Sequence, residues 1–210
     1  PVLRSGLTEA FYMLTAFGRE AVLAFFVLSG FLIAGSVHRD HLAGRWSAAG
    51  YAIARLSRLY VVLVPALVLG IAWDVAGLSW FGNAAAYGGT LANGMFPVDV
   101  AARLGSANIL GSLAFLQAIF VAPPGSNEQF WSLSYEFWCY ALFGLLYTAL
   151  WSGSRPRMRA AAVVAGAVIA WALGAAVFSS FGCWLLGAAL AVMPAPPRGR
   201  FLAALGVGVV

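Results

Sequence analysis

Glu136 lies roughly two turns into an oily, aromatic stretch that opens Phe130-Trp131-Ser132-Leu133-Ser134-Tyr135-Glu136. An ionisable side chain inside an apolar segment is costly and by default marks a functional site. Ser132 precedes Glu136 by four residues, so on a helix the hydroxyl and the carboxylate are neighbours. An interfacial aromatic belt accounts for Trp131, Tyr135 and Trp138 around them, but not for the acid. A carboxylate there needs a partner, and a group held in that way is useful for orienting a reactant.

Arg55 and Arg58 are three residues apart and share one helical face beside Tyr60. The guanidinium is a planar fork that matches phosphate oxygens bidentately. A pair of them where a loop becomes a span suits a phosphorylated donor such as coenzyme A. The same pair also serves as a helix anchor that snorkels to lipid headgroups. Ser29 and Gly30 sit in mid-span, within FFVLSGFLI. Gly30 and Ala34 form a small-xxx-small pair that lets helices approach closely. The alternative reading is a pocket wall, with thin backbone at Gly30 and a hydrogen bond from Ser29.

His38 and His41 flank Arg39 and Asp40 in a solvated, basic segment. Their spacing lacks further nearby ligands, so no metal site is expected, and a catalytic role is not assigned to them. Cys139 and Cys183 stand in apolar segments without metal-ligand spacing and read as two buried, inert thiols.

Elements that position these groups follow from the apolar runs. Spans are expected over 20–37, 59–77 (through Pro65, with Asp74 near its far end) and 130–151. Residues 160–178 and 181–193 read as a helical pair joined near Ser179 and Ser180, and another span begins at Phe201. Ser126-Asn127-Glu128-Gln129 fits a capping box ahead of Phe130. Residues 38–58 read as a basic, partly helical loop, and 78–105 as a Gly- and Asn-rich external one. If every apolar segment crosses once, Arg155, Arg157 and Arg159 fall outside, against the positive-inside bias, so either one segment between 78 and 125 fails to cross or an extra weak one crosses. A re-entrant excursion around 81–122 removes the conflict, because irregular backbone is tolerated where protein or a wet cavity surrounds it.

Composition agrees. The chain is 62% hydrophobic and 9% charged, with a mean hydropathy of +0.89, whereas soluble domains are roughly a quarter charged. The net charge of +5 comes from arginines in short clusters between apolar runs, and lysine is absent. Membrane topology explains that pattern, and a nucleic-acid partner is not expected. The fold class read here is all-α: a polytopic membrane helical bundle of about six to seven apolar segments with one candidate re-entrant segment.

In order, FFVLSGFLI, the Arg-x-x-Arg pair ahead of a Pro-bearing span, and WSLSYE closely resemble the acyltransferase-3 family of multi-spanning O-acyltransferases. The resemblance covers about 19–151, and 152–210 match only as generic spans. It implies transfer of an acetyl or other acyl group from acyl-coenzyme A, used as a donor substrate with no tightly bound cofactor, to a glycan or cell-envelope carbohydrate. It implies that Arg55 and Arg58 act in donor binding, with Ser29 and Gly30 in the family's Phe-x-x-Ser-Gly signature. Trp131, Ser132, Leu133 and Glu136 match its Trp-Ser-Leu-x-x-Glu signature, whose acid is implicated in activity. The family's His belongs to an earlier span, and neither His38 nor His41 occupies that place.

The expectation is therefore a bacterial inner- or plasma-membrane enzyme, with 1–210 part of one domain truncated at both ends and the base supplied from upstream. Glu136 and Ser132 are its expected catalytic residues. The competing reading is a transporter or flippase that uses Glu136 and Asp74 as coupling groups, although no internal repeat is visible.

Overall fold

An unbroken apolar run with a polar tail lets Gly18–Leu42 form one helix, α1, in the computed structural model, which describes residues 6, 8, 17–81, 99–150 and 153–193. Its last turn carries Arg39, a cation placed well for the negative end of the helix dipole. The turn after it is short, and Arg45 reaches back to Asp40 at 3.2 Å. Helix α2 then runs over Ala48–Phe81 and contains Pro65. The expected loop over 38–58 is thus mostly helix, because its charged side chains project outward while the backbone keeps its intrahelical bonds. Arg55 and Arg58 stand within α2 and not ahead of it.

The stretch 106–122 does not form a crossing helix. Helix α3 (Val100–Arg103), capped by Asp99, precedes it, and the stretch itself contains α4 (Ser106–Leu113). Eight residues reach roughly 12 Å against a hydrocarbon thickness of ~30 Å. Turns follow, with Phe115 and Ala118 at positive φ. An isolated bridge pairs Gln117 with Val121. The part of the expected excursion and external loop over 82–98, and the span expected from Phe201, lie outside the described residues.

Named contacts pin this excursion to the bundle. Tyr60 donates to the Leu113 carbonyl at 2.8 Å, and Ser134 and Trp138 both donate to the Phe115 carbonyl, at 2.6 and 2.9 Å. Gln117 donates to the Phe130 carbonyl at 3.1 Å. Asp74, 1% exposed, accepts from the Ser126 backbone N–H at 2.9 Å and from its hydroxyl at 2.7 Å. The Ser126 side chain is therefore spent on Asp74, and the expected capping box does not form. A 3-10 turn, Glu128–Phe130, leads instead into α5 (Trp131–Leu150).

Helix α6 is assigned over Pro156–Val192, but Gly174 interrupts it at φ 74° and ψ −179°. Arg159 donates to the Ala149 carbonyl at 2.8 Å, while Val192 shares a cavity wall with Tyr147. A straight helix would separate Arg159 from Val192 by roughly 50 Å at 1.5 Å per residue. The segment is thus a helical pair folded back at Gly174, a position of the left-handed region that only glycine occupies cheaply. The break lies ahead of Ser179 and Ser180, where it was expected. Both serines stay helical, their hydroxyls bonded to the Ala176 carbonyl.

The second arm of α6 packs along α1. A Cβ on Gly30 would collide with the Trp184 carbonyl, and one on Gly187 with the Val27 carbonyl. Trp46 lies 4.6 Å from Tyr147, ring centre to ring centre, so the α1–α2 and α5–α6 turns share one end. Both basic clusters therefore stand together, as the positive-inside bias requires. Among the described residues, three helices, Glu20–Leu42, Ala48–Phe81 and Pro156–Val192, are long and apolar enough to cross a membrane. Their outer faces carry exposed Val61, Leu69, Trp73 and Trp171, as lipid contact demands.

Candidate active site

The close contact of α1 with α6 fixes which side of α1 turns inward. Gly30 lies against Trp184, and its neighbour Ser29 is turned toward α5. On α5, the period of the helix brings Glu136, Tyr140 and Phe143 to the buried side. The two faces meet in a cluster of three polar side chains. The Ser29 hydroxyl donates to Glu136 Oε1 at 3.5 Å and lies 3.2 Å from the Tyr140 hydroxyl. Tyr140 in turn donates to the same Glu136 oxygen. Exposures of 7, 5 and 2% for Ser29, Glu136 and Tyr140 place the cluster out of solvent.

Arg55 and Arg58 on α2 stand within electrostatic reach of Glu136. Among the described residues, neither forms an ion pair with it within 4.0 Å. The Arg55 guanidinium lies 5.9 Å above the Tyr51 ring, a cation–π arrangement. Its Nε is buried without a hydrogen-bond partner among the described residues. Tyr51 donates to the Tyr140 carbonyl at 2.9 Å, which ties the arginine-bearing helix to the acid-bearing one. Between them opens a cavity of about 380 Å³ lined by Trp46, Tyr51, Arg55, Phe137, Tyr140 and Gly144, among others. A buried, unpartnered guanidinium donor beside an apolar cavity fits a ligand that is anionic at one end and apolar at the other.

Ser132 takes no part in this cluster. Its hydroxyl donates to the Gln129 carbonyl at 3.0 Å, one turn nearer the start of α5. Trp131 and Tyr135 meet edge to face at 5.2 Å, whereas Trp138 packs on Phe137 and hydrogen-bonds the Phe115 carbonyl. His41 packs against Tyr147 at 5.8 Å, and both His38 and His41 border a separate, mostly apolar cavity. Cys139 is buried, but Cys183 is only half-buried and lines a further cavity.

Tyr140 and Tyr51 were not singled out by the sequence reading. Tyr140 stands four residues after Glu136, the spacing that makes helix neighbours, so the signal was present but read toward Ser132 instead. Tyr51 carries no comparable local signal, since its partner is the carbonyl of a residue 89 positions away.

A family model described as an acyltransferase domain matches residues 2–209. A search of curated proteins and of solved structures found no match.

Proposed function

Because the chain belongs to the acyltransferase-3 family, we propose that it moves an acetyl or similar acyl group from a coenzyme A thioester to a hydroxyl of a cell-envelope carbohydrate. That it is a membrane acyltransferase follows from the family and the three membrane-length apolar helices. The finer reading rests on one juxtaposition. A buried Ser29–Glu136–Tyr140 cluster adjoins an arginine pair, one member of which has a buried, unpartnered N–H.

In this reading Arg55 and Arg58 hold the donor phosphates through bidentate, charge-assisted hydrogen bonds that the guanidinium N–H groups donate. The apolar wall of Phe137 and Gly144 accommodates the chain that leads to the thioester. The acceptor oxygen attacks the thioester carbonyl, a C–O bond forms, the C–S bond breaks, and the hydroxyl proton ends on the departing thiol. Glu136 orients the attacking hydroxyl, and the Tyr140 and Ser29 hydroxyls, which donate to it, hold the carboxylate in position. With the basic loops facing the cytoplasm, the donor enters where it is made, and a bacterial inner or plasma membrane is the setting. The transporter reading loses support, because both oxygens of Asp74 already accept from Ser126.

The test follows labelled acetyl from acetyl-coenzyme A into the glycan fraction of membranes carrying the full-length protein. Glu136→Ala and Arg58→Ala are expected to abolish incorporation while the protein remains inserted. Incorporation that survives both substitutions would remove these residues from the mechanism, and none in the unsubstituted protein would remove the reaction.

A further inference from the structure

The largest of the described cavities, about 810 Å³, opens at the end of the bundle opposite the basic loops. It is built where the start of α1, the start of α5 and the second arm of α6 converge. Val22, Gln129, Trp131, Tyr135, Ser179 and Cys183 contribute to its wall. The lining has a distinct chemistry. Trp131 and Tyr135 present an edge-to-face aromatic pair, and among the described residues neither the indole N–H nor the phenol hydroxyl has a hydrogen-bond partner. Gln129 adds an amide from an exposed position. Ser179 and Ser180 bond their own helix through their protons, which leaves their oxygens as acceptors. Among the described residues, no Asp, Glu, His or Arg lines it.

Neutral donors and acceptors set around an aromatic corner suit a neutral polyol with apolar C–H faces. They do not suit a phosphate or a carboxylate, for which the described lining residues offer no cation. Tyr135 and Glu136 are consecutive on α5, so the cavity reaches the level of the buried acid from the side away from Arg55. We infer that this cavity is the acceptor site, taking the sugar from the outer face, while the donor enters from the basic end. The inference rests on the acyltransferase reading above. It adds that Gln129, Trp131, Tyr135 and Ser179 recognise the acceptor, and that the reversal at Gly174 is what brings Ser179 opposite Tyr135.

Cys183 supplies the test, because it is a half-buried thiol in the cavity wall while Cys139 is fully buried. Intact cells carrying the full-length protein are treated from outside with the impermeant reagent 2-sulfonatoethyl methanethiosulfonate. Labelled acetyl incorporation into envelope glycan is then measured, together with retention of the protein on coenzyme A resin. Each variant is compared with its own untreated activity. The reagent is expected to lower incorporation at least tenfold and to leave resin binding intact. Cys183→Ser is expected to remove the inhibition, and Ser179→Cys in that background to restore it.

Full activity after modification of Cys183, verified by mass spectrometry, would overturn the acceptor assignment alone. So would failure of the thiol to react from outside, since the cavity would then be closed to that face. Absence of incorporation without reagent would instead overturn the acyltransferase reading itself.

Discussion

Ser29 and Glu136, 107 positions apart in the chain, meet through a hydrogen bond of 3.5 Å in a place where both are almost fully buried. Tyr140 closes the group by donating to the same carboxylate oxygen. The acid is therefore held by two hydroxyls, one local and one from a distant helix, within reach of the arginines of α2.

Replacing Glu136 by Gln keeps the shape and removes the charge. Transfer is expected to fall by about 10²-fold or more, the scale of a lost acid–base or orienting group. Ser29→Ala removes one hydroxyl donor and is expected to cost about tenfold, equivalent to ~1.4 kcal/mol. Initial rates of acetyl incorporation, normalised to inserted protein, check both. Equal effects would mean that Ser29 does more than support the acid.

Arg55→Ala is expected to raise the KM for acetyl-coenzyme A by about tenfold or more, the worth of a charge-assisted bond, with a smaller change in kcat. Arg55→Lys restores the charge but not the planar fork or the stacking on Tyr51. It is expected to recover less than half of the loss on a logarithmic scale. Donor titrations at saturating acceptor decide the outcome, and a change confined to kcat would argue against a donor-holding role.

Gly30 and Gly187 let α1 and the second arm of α6 touch backbone to backbone. Gly30→Ala and Gly187→Ala are each expected to destabilise the bundle by about 1–3 kcal/mol, the cost of overpacking. Gly182→Ala, whose added Cβ meets nothing within 4 Å, serves as the control and is expected to be near neutral. Thermal aggregation midpoints in detergent rank the three.

Asp74 holds the turn that leads into α5. Asp74→Ala leaves the part-buried Ser126 N–H unpaired and is expected to cost about 1–3 kcal/mol. Gly125→Ala is expected to be worse than neutral for two reasons, its φ of 60° and a collision with the Asp74 carboxylate. Stability in detergent should drop in both variants, while transfer per folded molecule changes far less than in Glu136→Gln. A large loss of specific activity with full stability would give Asp74 a chemical role.

Much was legible in the chain before any contact was known. Apolar runs and the placement of arginines determined a helical membrane protein, because the cost of burying charge and unpaired backbone in lipid acts on every window of about 20 residues. The same logic favoured an excursion around 81–122 over an extra crossing, and α4 within that stretch is only eight residues long. Local periodicity also marked Arg55 with Arg58, Ser29 with Gly30, and Glu136. What periodicity cannot supply is which face of one helix meets which face of another. Only the packing of α1 against α5 and α6 paired Glu136 with Ser29 and Tyr140 while sending Ser132 to its own backbone. The same holds for Ser126, whose local capping role lost to a carboxylate 52 positions earlier. It holds too for the fold-back of α6, set at Gly174 because only glycine takes that φ cheaply, although Ser179 and Ser180 are the more polar break. Spacing along one helix is a property of the sequence, whereas partners across helices follow from how closely small residues such as Gly30 and Gly187 let the backbones approach.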